Sequence, residues 1–160
     1  MNKRVVITGY GAVTALGESA HEAWQSIMDY KIGYSRVEFE NPEIKARFFS
    51  FVEPLKKRYT AIPKPVLRAL PIFAKNSVVA AQEALEMAFG STEAINSYYD
   101  PRECGVVIGT GWGGLDQSYQ LHDEYVDSGL GNPFGSLITM PSIATGAVSY
   151  THLTLPTTRL

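Results

Sequence analysis

The chain alternates short apolar runs with longer stretches in which apolar residues recur every three or four positions. Arg4 to Thr8 carries Val5-Val6-Ile7 and stops at Gly9, the pattern of a buried strand. From Ser19 to Tyr30, residues Ala20, Ala23, Trp24, Ile27 and Met28 follow helical spacing. Ser19 with Glu22 three residues on predicts a capping box, and Gly33 marks the exit. Phe48 to Val52 is a candidate strand in a mixed region between Pro42 and Pro54. Pro63, Pro65 and Pro71 punctuate a loop and then a short helix. Ile72 to Phe89 is the strongest helical pattern, with Phe73, Val78, Ala81, Ala84, Leu85 and Ala88 in register and Gly90 as its stop. Asn96 to Glu103 reads as a polar turn, and Cys104 to Ile108 as a second buried strand. Leu115 to Val126 follows as a helix, Gly129 to Pro133 as a loop, and Met140 opens a further segment. Strands separated by long helical crossovers predict an α/β architecture, with too few strands for a finished sheet.

Composition narrows the picture. With 45% hydrophobic and 19% charged residues among 160, the chain can build a core. Fourteen basic against 16 acidic residues leave a net charge of -2, which gives no electrostatic grip on nucleic acid or an acidic membrane. No apolar run approaches the roughly 18 residues of a membrane span. The apolar stretch after Met1-Asn2-Lys3-Arg4 is too short for a signal peptide. A cytoplasmic protein is expected. The single cysteine, Cys104, excludes an internal disulfide and a cysteine-based zinc site. No His or carboxylate pair has ligand spacing, so no metal and no cofactor are expected.

The candidate chemistry lies in two glycine loops. Gly9-Tyr10-Gly11-Ala12-Val13-Thr14 follows a strand and precedes a helix, but a dinucleotide fingerprint wants glycine at the sixth position, where Thr14 stands. Asp29, about 20 residues on, falls at a helix end rather than a strand end. A tight turn that lets strand and helix pack closely is the simpler reading. Gly109-Thr110-Gly111-Trp112-Gly113-Gly114 is followed by no Gly-Lys-Ser/Thr and is not a phosphate loop. Trp112 among these glycines either caps the core or walls a ligand pocket. Cys104 has no nearby His and reads as a structural thiol. His21 and His122 fall on predicted helices as surface or boundary residues. The basic triplet Lys56-Lys57-Arg58 reads as a solvated loop.

The run Arg4-Val5-Val6-Ile7-Thr8-Gly9-Tyr10-Gly11-Ala12-Val13-Thr14-Ala15-Leu16-Gly17 closely resembles the opening of β-ketoacyl-[acyl-carrier-protein] synthases, type II in particular. Trp24, the Arg68 to Leu85 region, Gly105 to Gly114, Pro133-Phe134, and Met140-Pro141 to Gly146 match that family in order. The match runs from about Met1 to Ala147 and covers well under half of a family member. The resemblance implies the N-terminal part of a thiolase-like fold, an incomplete α-β-α-β-α sandwich. It implies decarboxylative condensation of an acyl chain with malonyl-carrier protein in fatty acid biosynthesis, by a homodimer with acyl carrier protein as partner. Family members use a Cys nucleophile at a helix N-terminus and two His, all downstream of the matched region. Cys104 precedes the glycine loop and is not that nucleophile, so the chain itself is expected to be an inactive part of an acyltransferase. Trp112 aligns with the apolar residue, often Ile, that gates the acyl pocket, and a Trp there departs from the pattern. A non-catalytic, chain-length-factor-like partner of a ketosynthase is the alternative, and a dinucleotide-binding module a weaker one.

After Ala147 the family pattern stops. Val148-Ser149-Tyr150-Thr151-His152-Leu153-Thr154-Leu155-Pro156-Thr157 resembles the in-frame translation of a common transposase sequencing adapter, GTC TCT TAT ACA CAT CTG ACG CTG CCG ACG. The adapter's next base is A, and Thr158 requires a codon that starts with A. The expectation is therefore residues 1–147 as a partial ketosynthase N-terminal domain and 148–160 as an adapter-derived artefact. Val148-Ser149 fits both patterns, and His152 is not a catalytic histidine on this reading.

Overall fold

The computed structural model describes residues 4–53, 55, 59 and 62–152. Helix α1 spans Ala20–Met28. A two-residue antiparallel ladder joins β1, Ser35–Arg36, to β2, Phe48–Phe49, with Ser35 opposite Phe49 and Arg36 opposite Phe48. Then come α2 (Lys64–Ala69), α3 (Ile72–Phe89) and α4 (Ile95–Tyr98), a 3₁₀ turn at Pro101–Glu103, α5 (Leu115–Ser128), α6 (Gly135–Thr139) and α7 (Ile143–His152).

Helix ends follow their local chemistry. Ser19 caps α1 by accepting from Glu22 N at 3.2 Å. The reciprocal arm of the capping box lands one residue early, with Glu22 Oε2 accepting from Glu18 N at 2.8 Å. The helix exits at Asp29 and Tyr30, whose φ is 57°, and not at Gly33. Gly33 instead lies against Leu16, and its carbonyl accepts from Ser50 Oγ at 2.6 Å. Helix α3 matches its predicted bounds: Gly90 takes the left-handed conformation at φ 80° and its N–H closes on Glu86 O at 2.8 Å.

The core forms where α3 meets α7. Ala74, Val78 and Val79 of α3 face Ala144, Ala147 and Val148 of α7, with Leu55, Tyr59, Ile62 and Leu70 closing one end. Small residues on α7 let the two backbones approach, and the buried positions recur at helical spacing. Tyr59 is tied down by its hydroxyl, which donates to Asn76 Oδ1 at 2.7 Å.

Three further expectations need correction. The runs 4–8 and 104–108 are extended but pair with no strand among the described residues. A ladder needs a neighbouring strand to pair with, and hydrophobicity alone cannot supply one. The second run keeps a strand's alternation: Cys104, Val106 and Ile108 are half-buried, while Gly105, Val107 and Gly109 face outward. In the first run Val5, Val6 and Ile7 are all exposed. The candidate strand at Phe48 to Val52 shortens to Phe48–Phe49. The polar turn at Asn96 to Glu103 contains helix α4, anchored by buried Ile95 and by Phe89 ring contacts to Tyr98 and Tyr99. The triplet 56–58 lies outside the described residues.

Candidate functional site

The first glycine loop is sealed onto α3. A Cβ built on Gly9 would clash with Ala84 O, and one on Gly11 with Ala80 O. Two strand residues advance about 6.6 Å and four helix residues about 6.0 Å, so glycines two apart meet carbonyls four apart. The loop's glycines are used in strand-to-helix contact, which favours the close-packing reading over a dinucleotide cradle. Asp29 caps the C-terminus of α1 and pairs with Lys31 at 3.4 Å, both side chains largely exposed.

Sequence reasoning missed Glu83. From the middle of α3 its carboxylate accepts from Ala12 N at 3.0 Å (Oε2) and from Ala20 N at 3.0 Å (Oε1) and 3.2 Å (Oε2). The available signal was one acid flanked by Ala80, Ala81 and Ala84 on the chain's most regular helix.

The second glycine loop joins the extended run 104–108 to α5. Thr110 Oγ1 accepts from Gly113 N at 3.0 Å and tightens the turn. Gly113 has φ 55°, where a side chain is strained. Gly114 is buried at the start of α5, and its Cβ would fall 2.8 Å from Ile138 O. A Cβ on Gly113 would meet Pro141 at 3.0 Å. The fold thus brings together two motifs about 25 residues apart, Gly113-Gly114 and Met140-Pro141. Trp112 stands at the tip with 79% of its surface exposed, so it does not cap this core.

Cys104 is a free, half-buried thiol. It lines an apolar cleft of about 410 Å³ with Ala81, Leu85, Tyr99, Val106 and His152. His152 is buried, and its Nε2 lies 3.1 Å from Val78 O. Burial holds the His152 pKa below the usual histidine value, partly offset by that hydrogen bond and by Glu86 and Glu93. His21 and His122 are exposed on α1 and α5, and neither lines the cleft at Cys104. Among the described residues no three His, Cys, Asp or Glu side chains form a group able to hold a metal ion, and no helix is long and apolar enough to cross a membrane.

The order of extended and helical elements, with both glycine loops at the exits of extended runs, is the N-terminal part of a thiolase-like α/β fold. A crystal structure of a beta-ketoacyl synthase from Burkholderia phymatum STM815 superposes with a TM-score of 0.65 at 23% identity, over 94% of this chain and 37% of that one. The family described as "Beta-ketoacyl synthase, N-terminal domain" matches residues 2–154, and the chain belongs to that family. Its match overlaps the adapter-like run from residue 148 to residue 154. Among curated relatives, 3-oxoacyl-[acyl-carrier-protein] synthase 2 of Staphylococcus aureus (strain COL) is 30% identical over 150 residues, 92% of this chain and 35% of the relative. The Synechocystis protein of the same name is 29% identical over 147 residues, 90% of this chain and 34% of the relative. The chloroplastic 3-oxoacyl-[acyl-carrier-protein] synthase II of Arabidopsis thaliana is 28% identical over 118 residues, 73% of this chain and 21% of the relative. The chain therefore spans about a third or less of the length of these relatives.

Proposed function

We propose that this chain is the N-terminal portion of a 3-oxoacyl-[acyl-carrier-protein] synthase. The whole enzyme would take an acyl group from acyl carrier protein onto a cysteine thiolate, releasing the carrier's thiol. Decarboxylation of malonyl-carrier protein would then supply the carbanion that attacks the acyl thioester, forming the new C–C bond and freeing the cysteine. The carrying observation is the seating of Gly113-Gly114 on Ile138 to Pro141, which joins two motifs of the family in one structural unit. A homodimer in the cytoplasm, partnered by acyl carrier protein, belongs to this reading.

The nucleophile and both histidines belong downstream of Ala147, so no catalytic residue is assigned here and the 160-residue chain is inactive. Residues 148–160 are adapter-derived on this reading. Trp112 is the gate of the acyl pocket, and its bulk in place of the usual Ile shortens the chain accepted.

Long-read sequencing of the source locus across codons 140 to 160 comes first. A frame that continues past Ala147 into a Cys-bearing segment supports the reading. Genomic codons for Tyr150 to Leu160 followed by a stop overturn it. The recovered enzyme should then condense acyl-carrier protein with malonyl-carrier protein, and W112I should shift its preference toward longer acyl chains. Another residue at the Cys position would replace the enzyme with a non-catalytic partner.

A further inference from the structure

No side chain of residues 4–20 is fully buried, although Ala12, Val13, Ala15 and Leu16 are partly so. Val5, Val6 and Ile7 are exposed, and Val13 is the first side chain of the segment to pack against the core. The close approach of Gly9 and Gly11 to Ala84 O and Ala80 O provides weak contacts only. The strong contacts are polar and come from one side chain. Glu83 serves Ala12 N and Ala20 N with both oxygens, across 71 and 63 residues of sequence.

The two amides need an outside partner. Ala20 is the first residue of α1, where backbone N–H groups have no intrahelical acceptor. Ser19 is spent on Glu22 N, and Glu22 on Glu18 N. A carboxylate at that terminus also faces the positive end of the helix dipole. Charge-assisted bonds of this kind are about twice as strong as neutral ones.

We infer that Glu83 is the positioning residue that latches the first glycine loop and the start of α1 onto α3, its carboxylate holding Ala12 N and Ala20 N together. This stands apart from the catalytic reading, because it concerns only contacts within residues 4–90.

Amide hydrogen exchange on the 160-residue chain tests it, comparing wild type with E83A and E83Q. In E83A, exchange at Ala12 and Ala20 should quicken by about tenfold or more, the effect of losing one hydrogen bond to a charged group, while the α3 and α7 core amides keep their rates. Gln keeps one acceptor oxygen and loses the charge, so E83Q should fall between the two, a partial rescue that simple loss of packing would not give. Unchanged exchange at Ala12 and Ala20 in E83A overturns the inference. So does E83Q that matches wild type, or acceleration spread evenly over α3 and α7. If E83A does not fold, E83Q alone decides: selective acceleration at Ala12 and Ala20 upholds the latch, and any other pattern refutes it.

Discussion

The same chemical change at two valines should have very different costs. Val78 is fully buried between α3 and α7, whereas Val107 is 97% exposed on the extended run. Val78→Ala removes two methyl groups at about 0.8 kcal/mol each. A void of roughly 40 Å³ that does not relax adds about 1 kcal/mol at the cavity coefficient of about 24 cal/mol per Å³. Alanine's better helix propensity returns about 0.5 kcal/mol. The net loss is about 2 kcal/mol. With a urea m-value of about 2 kcal/mol per M, the midpoint should fall by about 1 M with no change in slope. Val107→Ala should stay within about 0.5 kcal/mol, a shift of about 0.25 M or less. Urea titration followed by circular dichroism at 222 nm reads both. Equal shifts would refute the assignment of the core to the α3–α7 contact, and a larger shift at Val107 would invert it.

Further expectations follow from single positions. Gly114→Ala should destabilise by about 2 kcal/mol or more, because its Cβ meets the Ile138 carbonyl at 2.8 Å, while Gly111→Ala, open on all sides, should be near neutral in the same titration. The 160-residue chain should lose stability as pH falls below about 6.5: burial lowers the His152 pKa, the unfolded chain then binds the extra proton, and the contribution present above the unfolded pKa disappears as pH drops through the folded value. H152L should flatten that part of a pH series of urea midpoints. Trp112→Ile in the recovered enzyme should lengthen the preferred acyl chain, read as a change in the ratio of kcat/KM values for long and short acyl-carrier substrates.

What was legible in the sequence is what local physics decides. Period and caps placed α1, α3 and α5, because side-chain spacing and a glycine at φ 80° or 70° act within one or two helical turns. Helix α4 was hidden, since Asn96, Ser97 and the Asp100-Pro101 pair read as turn, and the burial of Ile95 and the Phe89 ring contacts that anchor it are tertiary. Strand pairing and Glu83 were invisible for one reason: their partners are set by residues tens of positions away, and the loop-closure cost is met only by the assembled fold.

The second glycine loop separates the two kinds of signal residue by residue. Gly113 and Gly114 are explained by Pro141 and Ile138, whereas a Cβ on Gly105, Gly109 or Gly111 would meet no atom within 4 Å. Along the same stretch Val107 is 97% and Trp112 79% exposed. On the proposed enzyme reading, these open glycines and exposed apolar side chains are the face on which a sheet neighbour would pack. Val107→Ala should therefore change character in the recovered full-length protein. There it should cost about 2 kcal/mol, like Val78→Ala, because its side chain becomes core. A Val107 variant as harmless in the whole enzyme as in the 160-residue chain would contradict the placement of 104–108 inside a completed sheet.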